Sequence, residues 1–187
     1  MTVLAIIAVA PASVPLYFWA FWTKFDFFRR HPALAYSLML GVLGGGIAAA
    51  IALREPLLSV GVAMPTAVRV LGWLVIGAAM VFGTIADRQI GFRVRSFMPF
   101  FEDRGRIELV TTGAYGVVRH PIYASGIWFQ LGAALVTGYA AVAVACVVFT
   151  LGALWFTRQE ERRLVTLLAD PTAYDRYRAR VPALFPF

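Results

Sequence analysis

The sequence predicts an all-α, polytopic membrane protein with one membrane domain over residues 1–187. Hydrophobic residues make up 60% of the chain and its mean hydropathy is +0.75, which excludes an ordinary soluble domain. Five apolar segments each have roughly the 17–25 residues that a helix needs to cross a bilayer. The predicted transmembrane helices are residues 2–22, 33–53, 67–86, 121–137 and 139–157.

The basic residues are unevenly distributed between the connecting segments. With five crossings, all of the 17 Lys and Arg except Arg54 and Arg69 fall on one side of the membrane. The positive-inside rule assigns that side to the cytosol of an inner or plasma membrane, so the N-terminus is predicted outside and the C-terminus in the cytosol. The net charge of +7 thus reflects topology and contact with anionic membrane lipids. No nucleic acid partner is predicted.

The first three segments carry local features that predict their shape. Pro11 and Pro15 predict a kink in the first segment, which neighbouring helices must accommodate. Gly41 and Gly45 have the GxxxG spacing, which predicts close approach of the second segment to another helix. The third segment is predicted to end just before Asp87.

The connection over residues 87–120 is predicted to be a cytosolic cap that lies against the membrane, because it is too long for a turn and rich in phenylalanine. Only Thr137 and Gly138 separate the fourth and fifth segments, which predicts a tight helical hairpin. Since the hairpin turn lies on the outer face, the cytosolic ends near His120 and Glu160 are expected to converge.

A cytosolic tail is predicted over residues 158–187. Leucines with helical spacing at its start predict that the fifth helix continues as an amphipathic extension. Pro171 is expected to break this helix, and a second short helix is predicted to carry Tyr174 and Tyr177 on one face.

Residues 111–126 join a polar segment directly to an apolar helix. Pro121 lacks an N–H group and favours the first turn, so a helix is predicted to begin there. The unpaired N–H groups of that turn suit a carboxylate or another electron-rich group. The alternative is that Arg119, His120 and Pro121 only end a loop at the membrane interface.

His120 and the pair Glu160–Glu161 are the principal candidates for chemistry, because ionisable groups near membrane depth are often functional. The alternative for the glutamates is a solvated helix face paired with neighbouring arginines. Cys146 is the single cysteine, so a thiolate metal cluster is excluded and no metal site is predicted.

Two motifs resemble the isoprenylcysteine carboxyl methyltransferase family of membrane methyltransferases, to which phospholipid N-methyltransferases are similar. The first runs from Leu109 to Tyr123 and contains Leu-Val-Thr-Thr-Gly-Ala-Tyr and Val-Arg-His-Pro-Ile-Tyr. The second runs from Arg158 to Pro182 and contains Glu-Glu, Tyr-x-x-Tyr and Arg-Val-Pro. The resemblance covers about residues 85–186.

The resemblance implies S-adenosylmethionine as the cofactor and a cytosolic cofactor region over residues 87–120 and 158–187. It implies methyl transfer to a lipophilic acceptor that enters from the bilayer, such as a prenylcysteine-like carboxylate, a phospholipid head group or another isoprenoid or thiol. The cofactor-binding residues carried over from the family are Ile107, Glu108, Leu109, Val110, Tyr115, His120, Pro121, Ile122, Tyr123, Glu160 and Glu161.

The catalytic residues implied by the same resemblance are Arg158, Glu161 and His120. Arg158 would face the substrate and position an anionic acceptor. His120 or a glutamate would deprotonate an amine or thiol acceptor. Ala114 stands where many members have Pro, and Ser125 where many have Gly, which implies a differently shaped pocket entrance.

Three alternatives remain open at this point. Membrane sterol reductases have a similar architecture, so an NADPH-dependent reductase is one. The second is a non-catalytic or haem-binding membrane subunit that uses His31 and His120, both of which precede proline. The third is a scaffold that keeps the motifs without activity. The acceptor, the choice among O-, N- and S-methylation, the glutamate that contacts the cofactor and the oligomeric state also stay open.

Overall fold

The computed structural model describes residues 1–101, 109–168 and 170–186, without the side chains of residues 93 and 95. This part of the chain is helical and contains no named strand, which confirms the all-α prediction for it. A 3-10 turn, Ala10–Ser13, joins the first two helices. The helices are α1 (Thr2–Val9), α2 (Val14–Thr23), α3 (Phe25–Arg30), α4 (Pro32–Ala52), α5 (Arg54–Leu57), α6 (Thr66–Arg95), α7 (Met98–Phe101), α8 (Ala114–Val117), α9 (Pro121–Thr137), α10 (Ala140–Leu167) and α11 (Pro171–Arg178).

Within the described ranges, four stretches are long and apolar enough to cross a membrane. They are Thr2–Thr23, Pro32–Ala52, Thr66–Phe92 and Ala140–Leu167. The 3-10 turn lies inside the first stretch, at the position where its prolines predict a kink. The predicted count of five spans is not confirmed, because α9 has 17 residues and so lies at the lower limit of spanning length.

The third span is longer than predicted. Helix α6 does not end before Asp87 but continues to Gly91, where a non-helical residue with φ 70° and ψ 167° kinks the chain, and a second helical stretch ends at Arg95. The chain then forms α7, and residues 102–108 of the predicted cap lie outside the described residues. The assignment of residues 87–120 as a cytosolic cap therefore stays a prediction.

Helices α6 and α9 pack antiparallel and in close contact. A Cβ atom added at Gly72 of α6 would lie 2.8 Å from the carbonyl oxygen of Gly132 on α9, and the reciprocal distance is also 2.8 Å. Nearer the other end, Gly83 of α6 packs against the hydroxyl of Ser125 on α9. Glycine permits this backbone approach because it has no side chain to separate the helices.

The prediction that Gly41 and Gly45 mediate helix packing is wrong for the described part of the chain. Both are exposed on α4, and nothing lies within 4 Å of a Cβ added at either position. Gly46 makes the close contact instead, against Ser13. The spacing of two glycines shows that a helix can be approached, but it does not show which face its neighbour covers.

The predicted hairpin between the last two apolar segments is confirmed. Gly138 ends α9 in the left-handed conformation, with φ 70° and ψ 4°, and α10 begins at Ala140. Its carbonyl accepts a hydrogen bond from the N–H of Val62 at 3.0 Å, and the N–H of Ala140 donates to Val60 at 3.0 Å. The turn is thus fastened to the connection that precedes α6.

Replacing Gly138 with alanine is expected to lower the apparent melting temperature of the purified protein. The left-handed conformation costs a residue with a Cβ about 1–2 kcal/mol, and the new atom would also collide with the carbonyl oxygen of Val62. Gly41→Ala is the matched control, because its position is helical and open and alanine favours helix. Equal melting temperatures for the two variants would contradict this account.

An aromatic cluster joins the helices on the side of the chain that carries the two motifs. Phe18 of α2 stacks on Phe156 of α10, with ring centroids 4.3 Å apart. Phe97 and Phe100, from the predicted cap, pack against the same cluster. These two side chains are therefore fixed against the helices.

The predicted arrangement of the tail is confirmed. Helix α10 continues to Leu167, and α11 begins at Pro171 after Asp170 accepts a hydrogen bond from the N–H of Thr172 at 2.9 Å. Tyr174 and Tyr177 are both buried on one face of α11. This face points toward the segment that precedes α9.

Candidate functional site

The segment before α9 is held by the tail through main-chain hydrogen bonds. Helix α9 begins at Pro121, as the missing N–H group of proline predicts. The N–H of Arg119 donates to the carbonyl of Pro182 at 2.8 Å, and the N–H of His120 donates to Ala183 at 3.0 Å. The backbone positions of Arg119 and His120 therefore depend on the tail as well as on α9.

Glu161 of α10 is at the centre of a buried polar network. Its Oε1 atom accepts hydrogen bonds from Arg119 Nε and from His120 Nε2, both at 2.9 Å. The side chains of Arg119 and Glu161 are only 9% and 7% exposed. The expected convergence of the two helix ends is thus confirmed by direct contacts between their side chains.

Arg119 also binds the tail directly. Its Nη1 atom donates to the carbonyl oxygens of Arg178, at 3.3 Å, and of Val181. The guanidinium therefore connects α10, through Glu161, to the segment that follows α11. Because a planar guanidinium presents donors in several fixed directions, it can bind both partners at once.

The contact with Glu161 defines the orientation of the His120 ring. An ionised carboxylate can only accept, so Nε2 is the nitrogen that donates to Glu161. In the neutral imidazole this leaves Nδ1 as the acceptor. His120 is therefore oriented to take a proton at Nδ1, while Glu161 stabilises the cation that results.

Glu160 has a different environment from Glu161. It is half-buried, and its Oε2 atom accepts a hydrogen bond from the hydroxyl of Tyr123 at 3.0 Å. The Tyr123 ring packs edge-on against Phe156, with centroids 4.8 Å apart, and lies over the ring of His120 at 5.9 Å. Among the described residues, no Lys or Arg is within ion-pair distance of Glu160, whereas Glu161 has Arg119 and Arg178 in addition to His120.

Tyrosines from α8 and α11 close the other side of the network. The hydroxyl of Tyr177 donates to the carbonyl of Tyr115. Burial raises the pKa of Tyr177 to about 12, although nearby Arg119 opposes the shift. Burial raises the pKa of Tyr115 further, with the negative charges of Glu160 and Asp87 adding to it. Both phenols thus stay protonated at neutral pH.

Gln89 of α6 positions the loop before α8. Its side chain accepts a hydrogen bond from the N–H of Ala114 at 3.0 Å and donates to the carbonyl of Thr112 at 3.4 Å. Between them, Gly113 adopts φ 60°, and a Cβ there would collide with the Gln89 amide. Glycine is therefore required at this position by both conformation and space.

Most of the site residues expected from the sequence lie near this network. His120, Pro121, Ile122 and Tyr123 form the start of α9, and Glu160 and Glu161 face it from α10. Leu109, Val110 and Tyr115 are half-buried in the segment that leads to α9. Ile107 and Glu108 lie outside the described residues.

Arg158 is placed apart from the network by the geometry of α10. It is exposed, whereas Thr157 and Glu161, one helical turn apart, are both buried. Arg119 provides the guanidinium that contacts Glu161 instead. Sequence reasoning included Arg119 in the motif but did not select it, although an arginine beside a histidine and a helix start is a signal for such a role.

The apolar spans and the buried carboxylate network at their ends define an integral membrane protein with a polar site between helices. The family model for phospholipid methyltransferases matches residues 67–169, which include α6, α9, α10 and the Arg119–His120–Glu161 contacts. The chain belongs to the phospholipid methyltransferase family, which confirms the resemblance found in the sequence. Comparison with curated proteins finds no match, and neither does comparison with solved structures.

Proposed function

We propose that this protein transfers a methyl group from S-adenosylmethionine to a lipophilic acceptor at the cytosolic face of the membrane. The observation that carries the proposal is the buried contact of Glu161 with Arg119 and His120, within the part of the chain that the methyltransferase family model matches. This contact brings the only buried histidine of the described chain beside a pair of carboxylates.

The topology that fits this function has five crossings, with the N-terminus outside and the C-terminus in the cytosol. Its support comes from α9, which lies antiparallel along the apolar helix α6 from Ser125 to Gly132. A helix that lies against a spanning neighbour shares the depth of that neighbour in the bilayer along the length of their contact. The distribution of Lys and Arg supports the orientation.

The side chains and backbone groups of the site fit the chemical groups of S-adenosylmethionine. The first-turn N–H groups of Ile122 and Tyr123 suit its carboxylate, since helix geometry leaves such groups without an intrahelical acceptor. A carboxylate suits its amino group or ribose hydroxyls. Glu160 is the better candidate for that contact, because Glu161 is already bound to Arg119 and His120. Leu109, Val110 and Tyr115 would then line the wall of the cofactor pocket.

When bound, the cofactor supplies an electrophilic methyl group on a sulfonium. The chain contributes alignment of the acceptor and exclusion of water, for which the aromatic cluster around Phe156 provides apolar walls. With an amine or thiol acceptor, His120 Nδ1 accepts the proton that the nucleophile releases, and Glu161 stabilises the imidazolium. Exposed Arg158 attracts anionic head groups to the site without contacting the reacting atoms.

Neither the comparisons nor the described residues support the reductase alternative or a haem-binding role. Equilibrium binding to the purified protein separates these functions: we expect binding of S-adenosylhomocysteine and none of NADPH. Labelled methyl groups should also be transferred from S-adenosylmethionine into a total lipid extract by the wild type and not by His120→Ala. NADPH binding without S-adenosylhomocysteine binding would refute the proposal, and a wild type that binds but never transfers would favour the scaffold alternative.

A further inference from the structure

A cavity of about 430 Å³ lies between α6, α9 and α10. Its walls are mostly apolar, with Met80 on α6, Phe129 on α9 and Phe149 on α10. Gly83 and Gly126 also line it, and each lies close to a neighbouring side chain, Ser125 and Phe149 respectively. The cavity is open at one side, and we call it the α6–α9 groove.

Gln130 on α9 is the unusual residue of the α6–α9 groove. The residue lines the cavity and is 1% exposed. Neither its Nε2 nor its Oε1 atom has a hydrogen-bond partner among the described residues. A buried amide without partners costs about 1–3 kcal/mol, so this residue is unfavourable to the fold as it stands. A ligand in the groove would offset that cost.

The α6–α9 groove runs along α9 from its first turn to Gln130. Asp87 and Ile122 line its end near the start of α9, and Asp87 is close enough to Tyr115 to raise the pKa of its phenol. Eight helical positions separate Ile122 from Gln130, which corresponds to a depth of about 12 Å. In the proposed five-crossing topology, Gln130 therefore lies within the apolar layer.

The other polar groups along the α6–α9 groove already donate to their own helices. The hydroxyl of Ser125 donates to the carbonyl of Ile122 at 2.7 Å, and that of Thr84 donates to Met80 at 2.8 Å. Within the described part of the chain, Gln130 is thus the residue lining the groove whose amide N–H donors are unpaired, and because the amide is buried it must turn toward the groove to reach a ligand. It can donate to a carbonyl or hydroxyl oxygen and can also accept from a hydroxyl.

We propose that the α6–α9 groove binds a lipophilic molecule that carries a carbonyl or hydroxyl oxygen, and that the Gln130 amide hydrogen-bonds that oxygen. Two sources share this chemistry: the methyl acceptor and a resident bilayer lipid. The inference rests on the proposed function only for the first source, because binding itself requires no methyl transfer. Gln130 is then a specificity-determining residue rather than a packing residue.

Photolabelling of the full-length protein in detergent tests the site. The probe is a benzophenone with a decyl chain and a terminal alkyne, whose ketone is both the photoreactive group and the hydrogen-bond acceptor. We expect labelled peptides from α6 and α9 that contain Met80 or Phe129, with 2-tridecanone displacing the probe at roughly five- to tenfold lower concentration than tridecane. Absence of label from both helices would overturn the proposal.

The Gln130→Leu variant separates recognition from folding. It is expected to lose the preference for the ketone over the hydrocarbon, whereas Gln159→Leu, the same chemical change outside the groove, keeps it. Because leucine removes an unpaired buried amide, the melting temperature of Gln130→Leu should stay equal or rise. A lower melting temperature, or an unchanged ketone preference, would show that the amide is structural and overturn the proposal.

A methyl-transfer measurement distinguishes the two sources. If the occupant is the acceptor, 2-tridecanone inhibits transfer of labelled methyl groups into the lipid extract, and tridecane inhibits it less. If the occupant is a resident lipid, the groove is labelled with the same ketone preference and transfer is not inhibited. If the wild type transfers no methyl groups at all, the proposed function fails while the labelling result stands.

Discussion

Replacing Glu161 with alanine is expected to destabilise the protein by about 3–5 kcal/mol and to abolish methyl transfer. The substitution leaves Arg119 and His120 buried without the carboxylate that accepts from both. A buried charge without its partner is much less favourable than the pair, and the carbonyls of Arg178 and Val181 that still bind Arg119 carry no charge to balance it. Thermal unfolding of the detergent-solubilised protein, followed by intrinsic fluorescence, measures the loss.

A double-mutant cycle with Arg119→Ala tests the reason for this loss. Removing both side chains leaves neither the buried guanidinium nor the buried carboxylate of the pair, so the double variant should be more stable than the sum of the two single effects predicts. We expect a coupling of at least about 1 kcal/mol between the positions. Strictly additive losses would show that Glu161 contributes through packing alone.

Replacing Glu160 with glutamine is expected to weaken binding of S-adenosylhomocysteine by about 10- to 100-fold, with little change in melting temperature. Glutamine keeps the shape of the side chain and can still accept the hydrogen bond from Tyr123. It removes the negative charge, and a hydrogen bond to a charged group is worth about 1.5–3 kcal/mol. Isothermal titration calorimetry on the purified variant measures the change.

Glu55→Gln provides the matched control for this prediction. It makes the same chemical change at a side chain that is 86% exposed beside Arg54, at the far end of α4. Its affinity for S-adenosylhomocysteine should equal that of the wild type. If Glu160→Gln binds as tightly as this control while Glu161→Gln does not, the assignment of the two carboxylates must be exchanged.

The sequence predicted those features that depend on local backbone chemistry. Pro121 begins a helix because proline fits the first turn, Pro171 follows the end of α10 as a helix breaker, and the two-residue connection at Thr137 and Gly138 forms the hairpin. The convergence of His120 with the glutamates followed from the hairpin alone. These predictions required no knowledge of how the helices rotate about their axes.

Features that depend on helix rotation could not be derived from the sequence. Whether Arg158 or Glu161 faces α9 depends on the orientation of α10, and the structure buries Glu161 and exposes Arg158. The exposed position of Gly41 is a similar case. The glycine spacing is visible in the sequence, but which helix packs against α4, and on which face, is not. Gln130 could have been noticed, since an amide within an apolar segment is a functional candidate.

The connection between Arg119 and Val181 joins positions that lie 62 residues apart in the chain. During synthesis, α9 is therefore made before α10 and α11. It is also made before the carbonyls that bind Arg119. Until they follow, the arginine has only water or lipid head groups to solvate it. The polar network around Arg119 can therefore form only after α10 and α11 have been synthesised.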